Sequence, residues 1–142
     1  MMFSSVFAIL LASTPTATVC DAASLAHAVA DYAAATRRMD IPALAASFLP
    51  DGTLSQRGGA SFTGPAAIAA FLQGFAAYKV LSDEMTVERG IEEAPGVWRA
   101  SGVFRQQVKV PAGDTVTASG HFEGVWIFGA AGAWRIRSLE TW

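Results

Sequence analysis

The stretches Gly96-Val-Trp-Arg-Ala-Ser-Gly-Val-Phe104 and His121-Phe-Glu-Gly-Val-Trp-Ile-Phe128 alternate their side chains with a period of two, and Trp and Phe recur along them. That period is the one of a β-strand with a buried face. Two such stretches in succession point to a curved sheet wrapped around a pocket. The same period extends to candidate strands at Val80–Glu92, Val97–Val110, Thr115–Phe128 and Trp134–Thr141, with turn signals at Ala94-Pro-Gly96, Pro111-Ala-Gly-Asp114 and Gly129-Ala-Ala-Gly132 between them. Long strands joined by short loops form an antiparallel meander, and Gly102, Gly120 and Gly124 are natural sites for kinks or bulges.

Upstream the period becomes helical. From Ser24 to Met39 the buried stripe is Leu25, Val29, Tyr32, Thr36 and Met39, with Ser24 as the expected N-cap. Asp40 is placed to cap a second helix that carries Pro42 in its first turn and ends by Pro50. Asp51-Gly52 then reads as a turn into a strand from Thr53 to Arg57, and Gly58-Gly59 separates it from Ser61-Phe-Thr63. Gly64-Pro65 opens a third helix with Ile68, Phe71, Leu72, Phe75 and Tyr78 on one face.

The 142 residues make one domain. A hydrophobic fraction of 52% against 15% charged residues implies apolar surface turned to a pocket or to a second subunit. The formal charge of -2 and scattered basic residues exclude a nucleic-acid footprint. Val6-Phe-Ala-Ile-Leu-Leu-Ala12 is too short to span a bilayer and has the length of a signal-peptide core. Residues 1–22 are therefore read as a leader, 23–142 as the mature domain, and the destination as periplasmic or secreted. Cys20 follows Ala17-Thr-Val, a loose version of a lipoprotein box, so lipid anchoring is not expected. A single cysteine forms no internal disulfide and no thiolate metal cluster.

The order of elements resembles a known family. An Asp-capped helix ending in Phe48-Leu-Pro-Asp51, a helix opening with Gly64-x-x-Ala-Ile68, and long strands closing with Gly132-Ala-Trp-Arg-Ile136 look like the NTF2-like superfamily, in particular its SnoaL-like members. The resemblance runs from Ser24 to Trp142 and implies an α+β cone, a curved antiparallel sheet packed by three N-terminal helices. Members include ketosteroid isomerase, limonene epoxide hydrolase, scytalone dehydratase, polyketide cyclases and non-catalytic binding or assembly domains, so the resemblance implies a fold before a reaction.

Registering the chain on ketosteroid isomerase through Asp40 and Phe48 puts Tyr32 where that enzyme keeps its oxyanion-donating tyrosine. The general-base position falls on Gln56 and the second acid near Gly124, so that proton-abstracting machinery is not carried over. His121 and Glu123 share one strand face and form a candidate acid-base pair. By simple alternation they lie opposite the apolar face of Val116, Ala118, Phe122, Trp126 and Phe128, unless a bulge at Gly120 or Gly124 reverses them. Arg99, Arg105 and Lys109 are expected to face water, and Arg135, Arg137 and Glu140 to form a charged rim.

The inward set is Tyr32, Gln56, Phe71, Phe75, Trp98, Phe104, Gln106, Phe122 and Trp126, either lining a pocket or filling a core. No metal-ligand spacing, phosphate-cradling glycine loop or nucleophile elbow occurs, so no cofactor is expected. The reading is a homodimer, paired through the outer sheet face, that binds a small apolar molecule. One alternative is a cofactor-free lyase, isomerase or hydrolase on a polyketide- or steroid-like substrate, using Tyr32, His121 and Glu123. The other is an assembly module with a filled core.

Overall fold

The computed structural model describes residues 19–142. The proposed leader core, Val6 to Ala12, lies outside them. Helix α1 (Ala22–Arg37) is capped by Asp21, whose carboxylate accepts the Ser24 N–H at 2.8 Å. Ser24, the expected cap, instead completes a capping box from the third helical position. Leu25, Val29, Ala33 and Ala35 form its buried side. Met39, with φ of 49°, reverses the chain, and Asp40 caps α2 (Ile41–Ala46) by accepting the Ala43 N–H at 3.2 Å. The third helix, α3 (Pro65–Gln73), starts at a proline whose missing N–H has no partner to lose there.

The strands are β1 (Phe48–Gln56), β2 (Ser61–Thr63), β3 (Lys79–Ala94), β4 (Val97–Lys109), β5 (Thr115–Phe128) and β6 (Trp134–Thr141), in the order β2-β1-β6-β5-β4-β3. Strands β3 to β6 form the expected antiparallel meander, while β1 runs parallel to β6. The sheet is thus mixed, curved and unclosed, an α+β cone with α1 and α2 before it and α3 inserted between β2 and β3. Asp51-Gly52 is no turn before a strand but part of β1, at a register shift between Phe48 and Thr53. The reason is close packing, since a Cβ on Gly52 would stand 2.8 Å from the Ile136 carbonyl of β6.

Curvature is produced by bulges. In β3 the register shifts between Val80 and Ser82 and again between Val87 and Arg89. Opposite the second shift stands Gly102, where a Cβ would be 1.8 Å from the Thr86 carbonyl oxygen, so only glycine lets β4 approach that closely. The core joins Leu25 and Val29 of α1 to Phe48, Ile68, Phe122, Trp126, Ile136 and Leu139. It closes the narrow end of the cone.

Candidate cone site

Two cavities flank α1. The smaller, about 330 Å³, lies inside the cone and is walled by Tyr32, Phe71, Phe75, Tyr78 and Phe104, with Gln56, Asp83 and Gln106 as polar groups among an otherwise mostly aliphatic lining. The larger, about 620 Å³, lies on the other side of the helix against His27, Asp31, Arg38, Trp126 and Trp134. Asp83 does not border the larger space, whereas Tyr32 borders both. The smaller cavity is therefore the one that brings a buried carboxyl and a buried phenol to one wall.

Of the residues singled out from sequence, Tyr32, Gln56, Phe71, Phe75, Phe104 and Gln106 line the cone cavity. Phe71 stacks on Phe62 with centroids 4.3 Å apart and meets Phe75 edge-on at 5.3 Å. Phe75 is 41% exposed and Gln56 is exposed, so both stand at the mouth. Trp98, Phe122 and Trp126 do not line this cavity. Phe122 and Trp126 pack edge-to-face in the core beneath α1, where Leu25 and Val29 fill the space in front of them. Trp98 packs edge-on against Trp134 at 6.3 Å, and its buried indole N–H has no partner among the described residues.

His121 and Glu123 lie away from the cavity. The His121 ring is exposed and stacks on Trp142 at 5.6 Å, with Arg57 3.4 Å over the same indole. Glu123 pairs with Arg99 at 3.5 Å. The β5 register runs unbroken against β4 through both residues, and its shift against β6 falls only at Val125 and Trp126, so simple alternation holds at His121. Arg57 and Glu140 form an exposed ion pair at 2.7 Å on the rim.

The residue that sequence reading did not single out is Asp83, 2% exposed in β3 and opposite Gln106 of β4. A strand alternating regularly from Val80 would set Ser82 and Glu84 on the face of Val80. The extra residue at Leu81 gives that face to Asp83 and Met85 instead, and both line the cavity with Val80. The signal that could have found it is the alternation Asp83-x-Met85-x-Val87, which aligns a lone carboxylate with apolar neighbours.

Burial pushes the Asp83 carboxyl up to about 6, against the opposing hydrogen bond from Gln106, the Arg37 charge and a hydrogen bond from Thr36, while Glu84 adds to the rise. Arg37 Nη1 also donates to the Asp83 carbonyl oxygen at 2.8 Å, tying α1 to this point of β3. Burial likewise raises the Tyr32 phenol above its ordinary value, and the Asp83 charge raises it further. The cone thus sets a carboxyl that titrates near neutrality beside a phenol held protonated. One can accept a proton or a donor, and the other can donate to a ligand oxygen. Among the described residues no group of His, Cys, Asp and Glu is placed to hold a metal ion.

No curated protein sequence matches the chain. Among solved structures it is similar to a ketosteroid isomerase-like protein of Erwinia carotovora atroseptica, with 20% identity, a TM-score of 0.71, and 81% of this chain and 89% of that one covered. A scytalone dehydratase-like protein of Novosphingobium aromaticivorans gives 15% identity and a TM-score of 0.73, over 82% and 79% of the two chains. A protein of Xanthomonas campestris similar to the calcium/calmodulin dependent protein kinase II association domain gives 16% and 0.73, over 85% and 86%. At such identities these likenesses speak for the fold alone. The sequence model of the SnoaL-like domain matches residues 17–140, and with the cone, the helix order and the sheet order in agreement, the chain belongs to the SnoaL-like family of the NTF2-like superfamily.

Proposed function

We propose that the chain binds a compact, largely apolar small molecule inside the cone, with the molecule's polar end at Asp83, Tyr32 and Gln106. The observation that carries this reading is the open cavity of about 330 Å³ with an aromatic wall and a buried carboxyl on it. That volume lies at the low end of small-molecule sites, and apolar walls with a few fixed polar groups are what such sites share. An open cavity gives less support to an assembly module with a filled core. The test is uptake of the neutral fluorophore N-phenyl-1-naphthylamine. A blue-shifted, saturable signal that is lost when Phe71 is changed to Asp is expected, and absence of saturable uptake would sink the reading.

A second reading is favoured by the pairing of Asp83 with Tyr32: a cofactor-free isomerase or lyase. In it the Asp83 carboxylate takes a proton from carbon next to a carbonyl whose oxygen accepts from the Tyr32 hydroxyl, and the same carboxyl returns the proton elsewhere on the substrate. The base is Asp83 rather than His121, whose ring stacks on Trp142 outside the cavity. Turnover of an enolisable cyclic ketone that rises with pH through about 6 and vanishes in Asp83→Asn is the expected result. Equal turnover in that variant would remove the base.

Export through the leader and pairing through the outer sheet face belong to the same proposal. Val103, directly opposite His121, and Ile127, opposite Val97, make that face partly apolar. No helix among the described residues is long and apolar enough to cross a membrane.

A further inference from the structure

We propose that the cone is a receptor for an organic amine, holding the apolar body of the molecule between its rings and the ammonium group on the Asp83 carboxylate. This rests on the small-molecule reading above and names the chemical class of the ligand.

Charge on the cavity wall favours a cation. Among the described residues on the cavity wall, Asp83 is the only one that carries a formal charge, and no Lys, Arg or His shares the wall with it. The nearest cation, Arg37, gives its Nη1 hydrogen to the Asp83 backbone carbonyl at 2.8 Å and keeps an otherwise exposed position on α1. An acidic ligand would therefore meet a like charge with no cation on the cavity wall to offset it, whereas a cation would meet its complement in a space of low dielectric.

The second line is the aromatic wall. Tyr32, Phe71, Phe75, Tyr78 and Phe104 surround the same space, with Phe75 set edge-on to Phe71 at 5.3 Å and to Tyr78 at 5.4 Å. Five rings thus border one space. Ring faces carry the negative part of the aromatic quadrupole and attract ammonium groups. An aromatic enclosure with one buried carboxylate is complementary to an alkylammonium on a hydrophobic stem.

The third is unused acceptor capacity. A carboxylate accepts at about four lone-pair positions. Gln106 and Thr36 approach the carboxylate, the Thr36 hydroxyl donating to the Tyr32 carbonyl at 3.1 Å, and the acceptor positions they leave are available to ammonium hydrogens. The other charged or titratable groups acting on the site are Tyr32 and Arg37 from α1 and Glu84 from the same strand.

The experiment displaces bound N-phenyl-1-naphthylamine at pH 7.5 with 2-phenylethylamine, 2-phenylethanol and phenylacetate, which differ in charge at nearly constant shape. Calorimetry is run in parallel for direct binding. The amine is expected to bind at least tenfold tighter than the alcohol, with the carboxylate weakest. Asp83→Asn, checked by thermal unfolding to be folded, is expected to abolish the at least tenfold preference for the amine over the alcohol. Equal affinity of amine and alcohol, preference for the carboxylate, or a preference for the amine that survives Asp83→Asn would each overturn the proposal. Uptake of the fluorophore without displacement by the amine overturns this inference alone. Failure of the fluorophore and of all three compounds overturns the small-molecule reading together with it.

Discussion

Asp83 is 2% exposed and its carboxyl is pushed up to about 6, which fixes the sign of its contribution to folding. The folded chain holds that proton more tightly than the unfolded one, whose value is near 3.8. The cost of burying the charge is therefore absent below about pH 4, grows between pH 4 and 6, and is complete above that, at about 3 kcal/mol for a two-unit shift. Asp83→Asn keeps the shape and an acceptor for Gln106 and Thr36. It is expected to raise the unfolding temperature at pH 7.5 and to bring no gain at pH 4, as thermal denaturation at the two pH values would measure. Tyr32→Phe tests the other partner. Loss of one hydroxyl from an edge-on contact with Phe48 at 6.1 Å should change stability by about 1 kcal/mol or less while weakening ligands that carry a carbonyl. Titration of the variant with 2-phenylethanol and acetophenone would separate the two effects. At this scale the sequence was half legible. Tyr32 and Gln106 could be placed on faces by spacing from their neighbours, but Asp83 could not be placed by counting on from Val80, because a residue left over in the pairing of β3 with β4 changes the face, and only the local alternation with Met85 and Val87 marks it.

Among the elements, the long strands were the most legible. Val97, Thr115, Phe128, Trp134 and Thr141 bound their strands both in the amino-acid pattern and in the fold, since a buried face and a turn at each end leave little freedom. The first strand was the least legible. Asp51-Gly52 is the composition of a turn, yet its glycine is there because β6 passes too close for a side chain. Gly102 makes the same point more sharply. Gly102→Ala would drive a methyl group into the Thr86 carbonyl, and a loss of about 1–3 kcal/mol is expected in urea denaturation, with the slope unchanged. For the helices the decisive groups are caps. Asp40→Ala removes the acceptor of the Ala43 N–H at the head of a six-residue helix that buries Ile41, Leu44 and Ala45, and should cost about 1 kcal/mol in the same assay.

For the whole molecule, the aromatic pattern announced a cone but left open which rings fill it and which line it. That division is made by α1, whose Leu25 and Val29 occupy the narrow end against Phe122 and Trp126 and leave Phe71, Phe75 and Phe104 facing empty space. The distinction depends on depth along the cone, a quantity that strand period does not encode. Pairing of two copies through the outer face would bury Val103 beside His121, and Val103→Glu is then expected to halve the mass seen by sedimentation without altering ligand uptake. Tyr32 belongs to the walls of both cavities and is thus a partition with two sides. Cutting it back in Tyr32→Ala would join the two chambers into a passage open at both ends. Residence time would then become a matter of transit as well as of affinity, and a guest held by the cone in the intact protein would leave by a second door.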